Sequence, residues 1–67
     1  MKLIINGKEK AFSEEVLTVG DLIDQLNLNG KRFVIEHNGQ ILKKERQNEQ
    51  TLDDGDKLEI VHFVGGG

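Results

Sequence analysis

The chain contains no cysteine, proline, tryptophan or tyrosine. Because cysteine is absent, disulfide bonds, thiolate metal sites and cysteine nucleophiles are excluded. A reducing cytoplasm is compatible with this composition and is the expected location. Serine occurs once, as Ser13, and no histidine lies at a spacing from it that suggests a catalytic triad. A catalytic triad is therefore not expected.

Clustered positive charge and long apolar runs are also scarce. The chain has 9 Lys and Arg residues against 12 Asp and Glu residues, which gives a net charge of -3 at pH 7. Nucleic-acid binding depends on clustered positive charge, so no nucleic-acid partner is expected. No apolar run approaches the length of a membrane span, so no membrane association is expected either. A protein partner with a basic or neutral groove fits this charge balance better.

Short β-type runs are present, and turn signals separate them. Asn6-Gly7 and Asn38-Gly39 are pairs favoured in two-residue hairpin turns, so they predict hairpins over residues 2–12 and 32–42. The charged return strand of the first hairpin is typical of a sheet edge. A last strand, rich in β-branched residues, begins near Leu58.

One short helix is predicted between the two hairpins. Thr18 is a good N-cap, and Asp21 places a carboxylate in the first turn, where the helix dipole favours it. Apolar residues then recur at the spacing of one helical face, namely Val19, Leu22, Ile23 and Leu26. Residues 43–50 are polar and irregular, with room for one helical turn.

These elements predict an α+β fold. If the last strand lies beside the first, their apolar residues occupy the middle of the sheet, and the two terminal strands run parallel through a right-handed crossover. The expected architecture is a β-grasp (ubiquitin-like) roll, a mixed sheet of four to five strands with one helix packed on one face. Residues 1–64 would form this domain, and residues 65–67 a flexible C-terminal glycine tail.

The glycine tail is the most distinctive stretch of the chain. Gly65, Gly66 and Gly67 have no Cβ atoms, so they can enter a narrow channel in a partner protein. The carboxylate at the tip is ionised at neutral pH and must be activated before it reacts. Adenylation with ATP is the expected activation. The plainer interpretation is an inert, frayed end.

Three stretches resemble the ThiS family of sulfur carriers in thiamine biosynthesis: VHFVGGG at 61–67, LDDGDKLEI at 52–60 and IEHNGQI at 35–41. The resemblance implies that Gly67 carries sulfur as a thiocarboxylate. It implies three partners, which are a ThiF-like adenylating enzyme that uses ATP, a persulfide protein that donates sulfur, and a ThiG-like thiazole synthase that accepts it. No cofactor would be bound by the chain itself, and the free protein is expected to be a monomer. With its own terminus as the reactive group, we expect the chain to be a carrier and interaction domain that is not itself an enzyme.

Other functions stay open at this point. Molybdopterin-type sulfur carriers share the roll and the terminal Gly-Gly, but they usually place a proline shortly before it, and this chain has none. A ubiquitin-like protein modifier would join its tail to a lysine of a target. A passive β-grasp binding module would not use the tail at all.

Strand alternation predicts a docking surface for the partners. If Leu58 and Ile60 face the helix, the period of two turns other apolar side chains to the opposite face of the sheet. The predicted patch consists of Ile4, Val34, Val61 and Phe63. A bulge near Ile60 would instead turn Phe63 inward, and the segment 43–50 could cover the patch.

No metal site is predicted. Asp53, Asp54 and Asp56 lack the remaining ligands of a calcium loop, and they are interpreted as a solvated turn. His37 and His62 have no cysteine or second histidine at ligand spacing, so each is expected to have a surface or packing role.

Overall fold

Five strands form one mixed sheet in the order β2-β1-β5-β3-β4 in the computed structural model, which describes residues 1–63. The elements are β1 (Lys2–Ile5), β2 (Lys8–Ala11), α1 (Val19–Gln25), β3 (Phe33–His37), β4 (Gln40–Leu42), a 3-10 turn (Lys44–Arg46) and β5 (Lys57–His62). The predicted tail, 65–67, and the predicted domain boundary at residue 64 lie outside the described residues.

Both hairpins turn where the Asn-Gly pairs predicted. Asn6 and Gly7 have φ angles of 49° and 81°, and Asn38 and Gly39 have φ angles of 49° and 87°. Positive φ at both central residues is the geometry of the type I′ turn, whose twist matches that of the flanking strands. The turns therefore fix the register of both hairpins, which are β1 with β2 and β3 with β4.

The terminal strands are neighbours, as predicted. β1 and β5 pair in parallel, with Ile4 opposite Lys57 and Ile5 opposite Leu58. β5 lies between β1 and β3 and is the central strand of the sheet. The charged strand β2 is exposed along its whole length at one edge, and this confirms the edge prediction.

The helix begins at its predicted cap. The Thr18 hydroxyl accepts a hydrogen bond from the Asp21 backbone N–H at 3.2 Å, and the Asp21 carboxylate accepts one from the Thr18 N–H at 3.0 Å. This reciprocal arrangement is a capping box. The backbone N–H groups of Leu17 and Thr18 also hold the pKa of Asp21 below its ordinary value, because they bind its ionised form.

The core lies between the helix and one face of the sheet. Its buried hydrophobic residues come from the sheet, from the helix and from the segments that flank it, and they are Leu3, Ile5, Val16, Val19, Leu22, Ile23, Ile35, Leu52 and Leu58. Burial of these side chains is the main favourable term for so short a chain.

The polar segment 43–50 packs on the first turn of the helix. Gly20 N–H donates to the Gln47 carbonyl oxygen, and Val19 N–H donates to the Gln50 carbonyl oxygen, each at 2.9 Å. A Cβ on Gly20 would overlap the Asn48 side chain and would lie 3.3 Å from Asn48 Cα. Glycine at this position therefore allows the close approach of the segment to the helix.

None of the helices within residues 1–63 combines the length and the apolar character needed to cross a membrane.

Candidate docking surface beside the C-terminal tail

The sheet face opposite the helix carries the predicted docking residues. β3 and β5 pair without interruption from Phe33 opposite His62 to His37 opposite Leu58. There is consequently no bulge near Ile60, and that alternative prediction is wrong. Val34 and Val61 are direct cross-strand partners, and both lie on the outward face because Ile35 and Leu58 point into the core.

The outward apolar side chains near the end of β5 are accessible. Val61 is 53% exposed and Phe63 is 56% exposed, while Val34 is half-buried between the strands. The segment 43–50 leaves these two side chains more than half exposed, so the second alternative, a covered patch, is also wrong.

Ile4 lies apart from the other three predicted residues. It is half-buried and pairs with Lys57, which is four residues before Val61 on β5. At the rise of a β-strand this separation is about 13 Å. The outward residue of β5 between the two positions is Glu59. Ile4 therefore does not extend the apolar surface around Val61.

Ile41 takes the place that sequence reasoning gave to Ile4. It is 72% exposed and pairs with Glu36 on β3, which places it diagonal to Val34 on the outward face. The sequence contained the information needed to predict this position, because the Asn38-Gly39 turn fixes the register of β4 and so places Ile41 opposite Glu36. We use the name apolar patch for Val34, Ile41, Val61 and Phe63.

Two carboxylates border the apolar patch. Glu36 and Glu59 are direct cross-strand partners on the outward face, and like charges in this arrangement repel each other. A positively charged group of a partner protein would relieve that repulsion. The pair is thus complementary to the basic or neutral groove expected from the net charge.

The Asn6 side chain fixes the backbone of β5 next to the patch residue Val61. Asn6 Nδ2 donates to the Ile60 carbonyl oxygen at 3.2 Å, and Ile60 N–H donates to Asn6 Oδ1 at 2.7 Å. Beyond them, Phe63 N–H donates to the Arg32 carbonyl oxygen at 3.0 Å. The backbone is therefore fixed by hydrogen bonds up to the last described residue.

In the acidic turn before β5, Asp53 and Asp54 are exposed, as predicted for a solvated turn, whereas Asp56 is half-buried. Asp56 accepts hydrogen bonds from Asp53 N–H at 2.9 Å, from His37 Nε2 at 2.8 Å and from Asn38 Nδ2 at 3.2 Å. Burial raises the pKa of Asp56, but these three donors outweigh it, so that the pKa lies below the ordinary value. The carboxylate joins the turn to the β3-β4 hairpin.

The aspartates and histidines do not assemble into a metal site within residues 1–63. Asp54 accepts a hydrogen bond from the Lys2 backbone N–H at 2.6 Å, and the His37 side chain is mostly buried against Asp56. His62 is exposed at the end of β5. The predicted tail residues Gly65, Gly66 and Gly67 lie outside the described part of the chain.

The fold is that of a ubiquitin-like β-grasp protein. It has a mixed sheet of five strands, in which the first and last strands are parallel neighbours, and one helix packs on one face of the sheet. A family model described as the ThiS family matches residues 3–67. The sulfur carrier protein ThiS of Bacillus subtilis (strain 168) is 43% identical over 65 residues, which are 97% of this chain and 98% of that protein. The chain belongs to the ThiS family, and the resemblance predicted from its sequence is confirmed.

Two further comparisons agree with this assignment. The crystal structure of the thiamine biosynthesis protein ThiS from Geobacter metallireducens superposes with a TM-score of 0.83, at 33% identity, over the full length of both chains. A thiazole synthase of Paramagnetospirillum magneticum (strain ATCC 700264 / AMB-1) is 43% identical over 67 residues. The chain spans only 20% of that protein's length.

Proposed function

We propose that this chain is a sulfur carrier of thiamine biosynthesis and that Gly67 supplies the functional group. The observation that carries this proposal is the 43% identity to a sulfur carrier protein over nearly the whole length of both chains. The exposed apolar patch supports it, because a partner that covers the patch is brought next to the end of β5.

The chemistry follows from the low reactivity of a carboxylate. A ThiF-like enzyme would form a bond between a Gly67 carboxylate oxygen and the α-phosphorus of ATP, with pyrophosphate as the leaving group. The terminal sulfur of a persulfide protein then displaces AMP, and a thiol cleaves the sulfur–sulfur bond to leave the thiocarboxylate. The chain supplies the reacting carboxylate and the docking surface, and its partner binds the ATP.

Thiazole synthase is the proposed acceptor. A region 43% identical to this chain occupies 20% of a protein named thiazole synthase. In such a protein the carrier-like region and the remainder of the thiazole synthase stay close together, because one polypeptide joins them and raises their effective concentration. This arrangement supports a direct transfer of sulfur from the carrier to the synthase.

The direct test is the intact mass of the protein after incubation with the adenylating enzyme, ATP and a persulfide donor. We expect the mass to change by the replacement of one oxygen by sulfur. A protein of unchanged mass, under conditions that convert the Bacillus subtilis relative, would contradict the proposal and favour a passive binding module.

Deletion of Gly67 tests the role of the terminus. We expect the variant to lose all conversion to the thiocarboxylate while its melting temperature stays within about 4 °C of the unmodified protein. The deletion leaves every residue of the described core in place, and changes outside a core rarely exceed about 0.5 kcal/mol, which corresponds to about 2–4 °C. Replacement of Gly66 by valine should act in the same way, because its Cβ branches would obstruct a narrow channel. Sulfur loading of the deletion variant would refute the role of Gly67.

The apolar patch is tested by Phe63→Lys and Val61→Lys. Both side chains are more than half exposed, so we expect each variant to remain folded and to bind the adenylating enzyme at least about tenfold more weakly. Leu17→Lys is the matched control, because Leu17 is 59% exposed and lies before the helix, away from this face. A loss of stability with unchanged affinity would place the side chains in the core and contradict the docking role.

A further inference from the structure

A groove of about 660 Å³ lies at one end of the sheet, where β3 begins and β4 ends. Apolar side chains of both strands form much of its lining, together with Phe63 and with Lys44 of the 3-10 turn. It shares Val34, Ile41 and Phe63 with the apolar patch. The groove is therefore continuous with the apolar patch and extends from it to β4, the edge strand of the sheet.

Three cationic side chains surround this groove, namely Lys31, Arg32 and Lys44. None of the three belongs to an ion pair within residues 1–63, where the ion pairs involve other groups. The chain as a whole has a net charge of -3. Within the described residues, the lining of the groove carries these three cations and no carboxylate, and Glu36 and Glu59 lie outside it. The charge of the lining therefore complements an acidic ligand. Sequence reasoning overlooked the adjacent pair Lys31-Arg32.

The β4 edge offers backbone groups beside the groove. A two-residue turn makes His37 and Gln40 the hydrogen-bonded pair that closes the hairpin. The next pair, Glu36 with Ile41, is then of the non-hydrogen-bonded type. The N–H and C=O groups of Ile41 consequently point away from β3, towards the open edge, where an added strand can pair with them.

We propose that this groove binds an extended acidic segment of a partner protein. The segment pairs with the Ile41 backbone as an added strand and places apolar side chains on the groove lining. Its carboxylates continue past the end of β4 to Lys31, Arg32 and Lys44. This interaction goes beyond the proposed sulfur chemistry, because it needs neither Gly67 nor the patch residue Val61.

The probe is a capped peptide of alternating valine and threonine, flanked on both sides by two glutamates. Two control peptides carry lysines in place of the glutamates or serines in place of the valines. Amide chemical shifts of the isotope-labelled protein are followed during each titration. We expect the acidic peptide to shift the amides of Ile41 and Lys44, with weaker binding as salt increases, and we expect neither control peptide to do so.

Two double variants test the charges. Lys31→Glu with Lys44→Glu should weaken binding of the acidic peptide by about tenfold, because two attractions become repulsions. Lys8→Glu with Lys10→Glu makes the same change of net charge on β2, at the opposite edge, and should leave the affinity within about twofold.

Several results would overturn the proposal. Equal weakening in both double variants would show a general effect of net charge, and equal binding of the lysine peptide would show apolar contact without charge recognition. Shifts of the Ile41 amide that depend on protein concentration without peptide would identify a second copy of the chain as the occupant. The titrations are repeated with Gly67 deleted, where unchanged peptide binding separates this proposal from the sulfur-carrier function.

Discussion

Replacement of Asp56 by alanine should be the most destabilising change of a surface charge in this domain. The substitution removes the acceptor of three hydrogen bonds of 2.8–3.2 Å, from Asp53 N–H, His37 and Asn38. Hydrogen bonds to a charged group contribute roughly 1.5–3 kcal/mol each when their partners cannot turn to water. Since water can reach part of this site, we expect a total loss of about 2–3 kcal/mol.

A loss of this size is large for a chain of 67 residues. Domains of this length have unfolding free energies of roughly 3–10 kcal/mol, and 1 kcal/mol corresponds to about 4–8 °C in melting temperature. Urea denaturation at pH 7 measures the loss. Asp53→Ala is the control, because the Asp53 side chain makes no hydrogen bond or ion pair within residues 1–63, and it should change stability by less than about 0.5 kcal/mol.

The stabilisation by Asp56 should also depend on pH, and the direction of its pKa shift predicts that it is lost in acid. The fold lowers the pKa of Asp56, because its hydrogen-bond donors outweigh the effect of burial. Its stabilisation is therefore complete above the pKa in the unfolded chain, about 3.9, and is lost as the pH falls through the lower folded value. The difference between the unmodified protein and Asp56→Ala should shrink between pH 5 and the acid limit of folding. A difference that stays constant down to that limit, or equal losses in Asp56→Ala and Asp53→Ala, would refute the reasoning.

Two further predictions concern the helix and the outward face. In urea denaturation, Gly20→Ala should fall short of the stabilisation of about 1 kcal/mol that removing glycine from a helix otherwise gives, because the new Cβ would displace the Asn48 side chain and lie 3.3 Å from Asn48 Cα. A full gain of about 1 kcal/mol would show that the segment 43–50 does not pack there. Glu59→Lys should raise stability by up to about 1 kcal/mol by ending its repulsion with Glu36, yet it should weaken binding to the adenylating enzyme. Reduced stability in low salt would contradict the cross-strand repulsion.

The fold was predictable because its local signals agree with one another. Asn6-Gly7 and Asn38-Gly39 each fix a turn whose conformation those residue pairs favour, and Thr18 caps the helix as its hydroxyl suggests. The placement of β5 beside β1 followed from apolar density, since both strands carry consecutive apolar residues. The turns and the cap were inferred from short stretches of chain, where sequence and backbone geometry are closely linked.

The docking surface was predictable only in part, because it depends on how far strands overlap. Alternation placed Ile4 and Val61 on the same face correctly, but it gives no information about their offset along the sheet. That offset is set by the parallel register, Ile4 opposite Lys57, which has no local turn to fix it. The outward position of Ile41 beside Val34 could have been predicted, because the Asn38-Gly39 turn fixes the register of β4 against β3. The role of Asp56 could not be predicted, since its donors His37 and Asn38 are 18 or more positions away in sequence.

The position of β5 in the sheet limits where a partner can act on the chain end. β5 lies between β1 and β3. At its end His62 pairs with Phe33 and Phe63 N–H donates to the Arg32 carbonyl oxygen, so the backbone at Phe63 has a fixed position relative to the apolar patch. Four residues separate Phe63 from the end of Gly67, and four extended residues span at most about 14 Å. A partner that covers the patch must therefore hold its reacting group within about 14 Å of Phe63. Insertion of two glycines after Phe63 would preserve docking but move the terminus past that site, so sulfur loading should fall while affinity stays the same.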